Sequence, residues 1–263
     1  MLAGAIVPAQ SPQLVVSTDK GAVRGLVNGD VASFLGIPYA APPVGDLRWQ
    51  PPEPAGQWIG VLDAATVKPR CPQQNRPTAS EDCLYLNVYL PADATSEANP
   101  VMFWIHGGGL REGGTDSFDP TWLVQRGVIV VTIAYRLGLL GFLVHPALDA
   151  ASPMHTSGNY GLLDALSALH WVQRNVVAFG GNPDNVTIFG ESSGGLLVRA
   201  LMVSPLAGGL FDRAIVQSGS RQETYPIASA RSLSASLVAR MGCPDQTLAC
   251  LQVQSSQPKA RSS

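Results

Sequence analysis

Apolar and polar positions change rhythm along this chain. From residue 13 to 37 they alternate, and the alternation breaks at Gly21, Gly25 and Gly29. A period of two with glycine punctuation predicts two or three short strands in hairpins. Residues 38–58 are rich in proline and carry Trp49 and Trp58, which predicts an ordered, extended loop on the surface. LYLNVYL at 84–90 predicts a strand, and the polar stretch 92–100 an exposed turn. Continuous apolar runs then replace alternation: VMFWI at 101–105, VIVVTIA at 128–134 and VTIF at 186–189. Such runs fit strands covered on both faces, as in a parallel sheet between helices. Residues 161–178, GLLDALSALHWVQRNVVA, repeat apolar positions at helical spacing. Residues 194–202 read as a helix, RAIV at 213–216 as one more strand, and 229–253 as partly helical. Strand and helix alternate, so the expected class is α/β with a mostly parallel central sheet.

Composition narrows the function classes. The chain is 46% hydrophobic and 14% charged, as folded globular domains are. A net charge of −2 without basic clusters argues against a nucleic-acid or membrane-surface partner. No apolar run reaches the length of a membrane span, and no internal repeat is visible. The first residues, MLAGAIVPAQS, fit the end of a secretory signal peptide or a disordered tail, so 1–12 are set apart from the domain. The polar end QSSQPKARSS, 254–263, is expected to be disordered. The four cysteines fall into two local pairs, Cys71 with Cys83 and Cys243 with Cys250, among three possible connectivities. They lack CxxC spacing and neighbouring histidines, so metal binding is not expected. Two local disulfides imply a secreted or periplasmic protein, with the cytoplasm as the alternative.

The chemistry-bearing stretch is Gly190-Glu191-Ser192-Ser193-Gly194. G-x-S-x-G alone is a weak signal in a glycine-rich chain, but here a buried strand runs into it and a helix follows. That context makes a nucleophile elbow, a tight turn that exposes the serine hydroxyl beside a helix N-terminus. A second element, His106-Gly107-Gly108-Gly109, directly follows the apolar run VMFWI. Glycines there free backbone N–H groups to bind an oxyanion. A flexible glycine turn is the alternative for this element taken by itself.

With these two elements, the chain resembles the type B carboxylesterases, the α/β-hydrolase family that includes cholinesterases and some fungal lipases. The segments carrying the resemblance are FLGIPYAAPPVGDLRWQPPEP (34–54), EDCLYLNVYLP (81–91), FWIHGGG (103–109), AYRLGLLGF (134–142), the stretch from Gly158 to Gly195, and SPLAGGLFDRAIVQSGS (204–220). The resemblance implies an α/β-hydrolase fold over 13–253, with its C-terminal part missing. It implies Ser192 as nucleophile, with the N–H groups of Gly108, Gly109 and Ser193 as oxyanion hole. Glu191 is the acidic neighbour of the nucleophile, with a structural role as open as a catalytic one. The same resemblance implies the disulfides Cys71–Cys83 and Cys243–Cys250 and the ion pairs Arg48–Glu81 and Arg136–Asp164. Leu110 stands where the family usually has an aromatic residue.

The catalytic base is harder to find. His106, His145, His155 and His170 all precede Ser192, whereas α/β-hydrolases run serine, acid, histidine along the chain. His106 sits at the oxyanion loop, His170 reads as structural, and His145 and His155 have no assigned role. Asp212, Glu223 and Asp245 are the acidic residues after Ser192, and the family's acid comes much later. The expectation is therefore a serine carboxylesterase whose acid and histidine are not in this chain, weak or inactive alone. A non-enzymatic cholinesterase-like protein or a degenerate fragment is the alternative. The segment CPQQNRPTASEDC (71–83) is short, polar and free of aromatics, which argues against choline specificity and against a lipase lid. A small-molecule ester is the expected substrate, with no cofactor. The sequon Asn185-Val186-Thr187 opens an expected buried strand, so glycosylation there is not expected.

Overall fold

The change from alternating to continuous apolar runs marks where the sheet turns from antiparallel to parallel. In the computed structural model, which describes residues 13–93, 98–152, 155–219 and 226–253, nine strands form one sheet. The expected leader and tail segments and Glu223 lie outside the described residues. The strands are β1 (Gln13–Thr18), β2 (Gly21–Asn28), β3 (Val31–Pro38), β4 (Val61–Asp63), β5 (Tyr85–Pro91), β6 (Asn99–Ile105), β7 (Ile129–Ile133), β8 (Gly181–Glu191) and β9 (Arg213–Gln217). Their order is β1-β2-β3-β5-β7-β6-β8-β9, and β4 pairs with β2. The ladders from β1 to β7 along that path are antiparallel. Those joining β7, β6, β8 and β9 are parallel.

The helices are α1 (Thr121–Val124), α2 (Gly138–Phe142), α3 (Pro146–Ala151), α4 (Tyr160–Asn175), α5 (Ser193–Val203), α6 (Ile227–Arg240) and α7 (Leu248–Gln252). Burial follows the sequence periods. All five residues of β7 are buried, as a strand covered on both faces requires. Helix α4 buries Ala165, Ala168, Leu169 and Val172, the three- and four-residue spacing of one face, together with Trp171. Trp171 packs near Phe179, whose ring meets Phe34 edge-on at 5.0 Å. A second cluster, with Trp49, Leu148, Tyr160, Val238 and Leu251, gathers α3, α4, α6 and α7.

Arg136 and Asp164 form a buried bidentate pair, with Nε to Oδ2 at 2.8 Å and Nη2 to Oδ1 at 2.7 Å. Burial pulls the Arg136 pKa down, but the adjacent Asp164 carboxylate outweighs that and leaves it raised. Arg48 meets Glu81 through its Nε at 2.7 Å. Disulfides join Cys71 to Cys83 and Cys243 to Cys250. Among the described residues no helix is long and apolar enough to cross a membrane.

Two details differ from the sequence expectations. The proline-rich loop is not confined to the surface: Tyr39, Ala40 and Trp49 are buried, and Trp49 Nε1 donates to the Leu139 carbonyl at 2.8 Å. Burial packs the large apolar face of this indole while the Leu139 carbonyl satisfies its N–H. Strand β8 starts at Gly181, well before the apolar run, because Gly181 already pairs with Asn99 of β6. Strand β9 ends the sheet order, and its apolar run is partly open, with Ile215 43% and Val216 38% exposed.

Candidate active site

The site forms where β8 turns into α5. Ser192 sits between them with φ 54° and ψ −121°, a conformation a non-glycine residue adopts at a cost of about 1–3 kcal/mol. Its N–H donates to the Gln217 carbonyl of β9 at 2.8 Å, which pins the turn to the neighbouring strand. The flanking glycines follow from crowding. A Cβ on Gly190 would lie 2.6 Å from the Gly194 carbonyl carbon, and one on Gly194 would lie 2.0 Å from the Ile105 carbonyl oxygen. The first turn of α5 thus folds back against β6 and β8 with no room for a methyl group.

The glycine loop leaves β6 and passes this turn. A Cβ on Gly107 would lie 2.7 Å from the Glu191 carbonyl oxygen and 3.2 Å from Ser192 Cβ. Gly108, Gly109 and Leu110 have φ of 103°, 63° and 58°, three successive left-handed residues. Glycine adopts these angles freely; Leu110 does so under strain. Among the described residues no backbone carbonyl accepts from the N–H of Gly108 or Gly109. The N–H of Ser193, at the first position of α5, has no intrahelical acceptor either. A serine oxygen, unengaged amide donors and the positive end of a helix therefore share one small region, the arrangement that suits acyl transfer.

His106 is buried and its ring stacks on Tyr135 with centroids 4.3 Å apart. Its Nδ1 lies 2.8 Å from the Gly107 carbonyl oxygen. Burial lowers its pKa to about 4, against the opposing pull of that carbonyl, so the ring is neutral near pH 7. His145 caps α3, accepting from the Ala147 N–H at 3.2 Å, and lies 3.3 Å from Gln246 Oε1. His170 is exposed on α4, and His155 is exposed in a loop. Asp212 accepts from the Val186 N–H at 2.9 Å, and Asp245 binds Thr247. Among the described residues no histidine or carboxylate hydrogen-bonds the Ser192 hydroxyl. Ser192, Ser193, Gly108, Gly109 and Glu191 are thus brought together, while the four histidines are spread over the fold. Sequence reasoning missed the His145 cap, which His145-Pro146 could have signalled, since proline favours the first helical position. It also missed the left-handed Leu110, for which no local signal exists.

Beside Glu191 lies a polar cavity of about 300 Å³ lined by Arg70, Arg76, Trp104, His106, Glu112 and Gly113 among others. Gln73, from the segment between Cys71 and Cys83, exchanges two hydrogen bonds with the Gly113 backbone, at 2.9 and 3.1 Å. Two buried atoms on lining residues, Trp104 Nε1 and His106 Nε2, have no hydrogen-bond partner among the described residues.

A family model described as the carboxylesterase family matches residues 12–259. The chain is 50% identical over 216 residues to fumonisin B1 esterase of Sphingopyxis macrogoltabida, covering 79% of this chain and 40% of that protein. It is 46% identical over 270 residues to carboxylesterase 1D of Rattus norvegicus, covering 93% of this chain and 46% of that one. Among solved structures, a PNB esterase matches with TM-score 0.84 at 44% identity, covering 92% of this chain and 51% of that chain. Carboxylesterase EST55 of Geobacillus stearothermophilus matches with TM-score 0.86 at 40% identity, over 92% and 51%. The chain thus spans less than half the length of these two curated relatives.

Proposed function

The chain belongs to the carboxylesterase family, and from that premise we propose that it hydrolyses carboxylic esters through Ser192. The observation that carries the proposal is the strained turn at Ser192 lying against the glycine loop at Gly107. Strain is retained where the chemistry needs the side chain presented. In the proposed reaction Ser192 Oγ attacks the ester carbonyl carbon while the Gly108, Gly109 and Ser193 N–H groups hold the oxyanion. The C–O bond to the alcohol then breaks, leaving an acyl-enzyme, and water releases the acid. Glu191 lines the adjoining cavity. The short, polar Cys71–Cys83 segment favours small esters over choline esters or lipid interfaces. The two disulfides support a secreted or periplasmic setting.

Ser192 has no base within hydrogen-bond reach among the described residues. We therefore expect the 263-residue chain alone to be slow or inactive, since an unassisted serine is a weak nucleophile at neutral pH. A degenerate, non-enzymatic relative is the second reading, and this missing base is what favours it. Hydrolysis of p-nitrophenyl butyrate by the full chain and by Ser192→Ala tests both. The expected result is a small rate that Ser192→Ala removes, without an inflection near pH 6.5. A rate typical of intact esterases, on the order of 10 s⁻¹, would reveal a base elsewhere. Equal rates for the two proteins would favour the non-enzymatic reading.

A further inference from the structure

The glycine loop is held at both ends by one pair of hydroxyl groups. Tyr135 follows β7, outside both catalytic motifs, and its hydroxyl donates to the His106 carbonyl at 2.8 Å. The Ser193 hydroxyl accepts from the Leu110 N–H at 3.1 Å. The Tyr135 phenol is buried, which pushes its pKa up, and the neighbouring Ser193 side chain opposes that shift. The loop's first carbonyl is thus held by Tyr135 and its last amide by Ser193.

We propose that Tyr135 and the Ser193 hydroxyl are positioning residues that clamp the glycine loop and set the spacing of its amide donors from the elbow. The proposal rests on the reading of Ser192 as nucleophile. Gly107, Gly108 and Gly109 lie between the two anchored residues, with the Gly108 carbonyl accepting from the Arg111 N–H at 3.0 Å. Ser193 contributes twice: its N–H is the donor on the elbow side, and its side chain ties down the loop that carries the other two. One residue thus couples the two halves of the oxyanion hole. The Leu110 anchor also explains how a left-handed leucine persists where glycine would be at ease. The Leu110 carbonyl accepts from the Gly138 N–H at 2.7 Å, so the residue is gripped on both sides. The His106 ring stacked on Tyr135 keeps the phenol in place.

The test uses the full chain, with Tyr135→Phe, Ser193→Ala and Ser193→Thr. Tyr135→Phe keeps the stacking ring and Ser193→Thr keeps the hydroxyl. Amide hydrogen exchange is followed over the peptide 106–113 and over β7 and α4 as reference. The expected result is roughly three- to tenfold faster exchange in 106–113 for Tyr135→Phe and Ser193→Ala, with the references unchanged and partial recovery in Ser193→Thr. Phosphonylation of Ser192 by a fluorophosphonate is followed in parallel. Its maximal rate should fall in the two clamp-breaking variants without a change in half-saturating concentration. Exchange in 106–113 equal to wild type in both variants overturns the clamp. Faster exchange with an unaltered Ser192 phosphonylation rate overturns its positioning role. Absence of any Ser192 adduct in the wild-type chain counts against the nucleophile reading alone, because the exchange measurement still judges the clamp.

Discussion

Replacing Gly194 by alanine sets two effects of opposite sign at one position. Alanine is the better helix former, by up to about 1 kcal/mol in a helix interior, and Gly194 is the second residue of α5. Against this, the new methyl would lie 2.0 Å from the Ile105 carbonyl oxygen and 2.8 Å from both the Ile105 carbonyl carbon and the His106 carbonyl oxygen. All three are backbone atoms of β6 and its exit, and no rotamer change moves them. Overpacking of a rigid neighbour costs about 1–3 kcal/mol, and an approach this close belongs at or above the upper end. The steric effect should win, giving a net loss of roughly 2–3 kcal/mol and a fall in Tm of about 5–10 °C. Gly208 provides the control, because a Cβ there meets only the Pro205 carbonyl at an ordinary 3.4 Å. Gly208→Ala should leave stability unchanged or raise it by a few tenths of a kcal/mol. Urea unfolding followed by far-UV circular dichroism reads both, with an unchanged m-value showing that stability and not the unfolded state has altered. A Gly194→Ala midpoint equal to or above wild type would refute the close approach of α5 to β6.

Other consequences concern charge and cross-links. Asp164→Asn strands the buried Arg136 guanidinium and should cost about 3–5 kcal/mol in a urea titration. His106 has its pKa lowered on folding from 6.5 to about 4, so the unfolded chain binds more protons between those values. Its contribution to stability is whole above pH 6.5 and is lost as pH falls toward 4, by about 3 kcal/mol in total. Unfolding titrations across that window should show this slope in wild type and lose it in His106→Gln. Paired replacement of Cys71 and Cys83 by alanine should cost about 2–4 kcal/mol, measured as a urea midpoint shift against the oxidised wild type.

Much of this arrangement is legible in residue patterns because the same period is repeated at several levels. The run IVVTI of β7 is buried throughout, and the 161–178 pattern became α4 with its apolar stripe inward. G-x-S-x-G gained meaning from the strand before it and the helix after it, and all three are found where that context put them. The pairs Arg136–Asp164 and Arg48–Glu81 were accessible only through resemblance, because no local rule joins residues so far apart in sequence. What escaped depends on partners supplied by the fold. The burial of Trp49 is set by a cluster drawn from four distant helices. The two hydroxyl contacts, Tyr135 to the His106 carbonyl and Ser193 to the Leu110 N–H, join three segments of the chain, none of which carries a mark of the others.

The most direct measurement is covalent trapping of the full chain with a fluorophosphonate at pH 9, followed by peptide mass mapping, with Ser192→Ala as comparison. At that pH hydroxide can partly substitute for a base. A phosphonyl adduct is expected on Ser192 and on no other serine, absent from Ser192→Ala. Modification spread over several serines, or equal in the two proteins, would contradict the claim that the strained turn after β8 presents an esterase nucleophile.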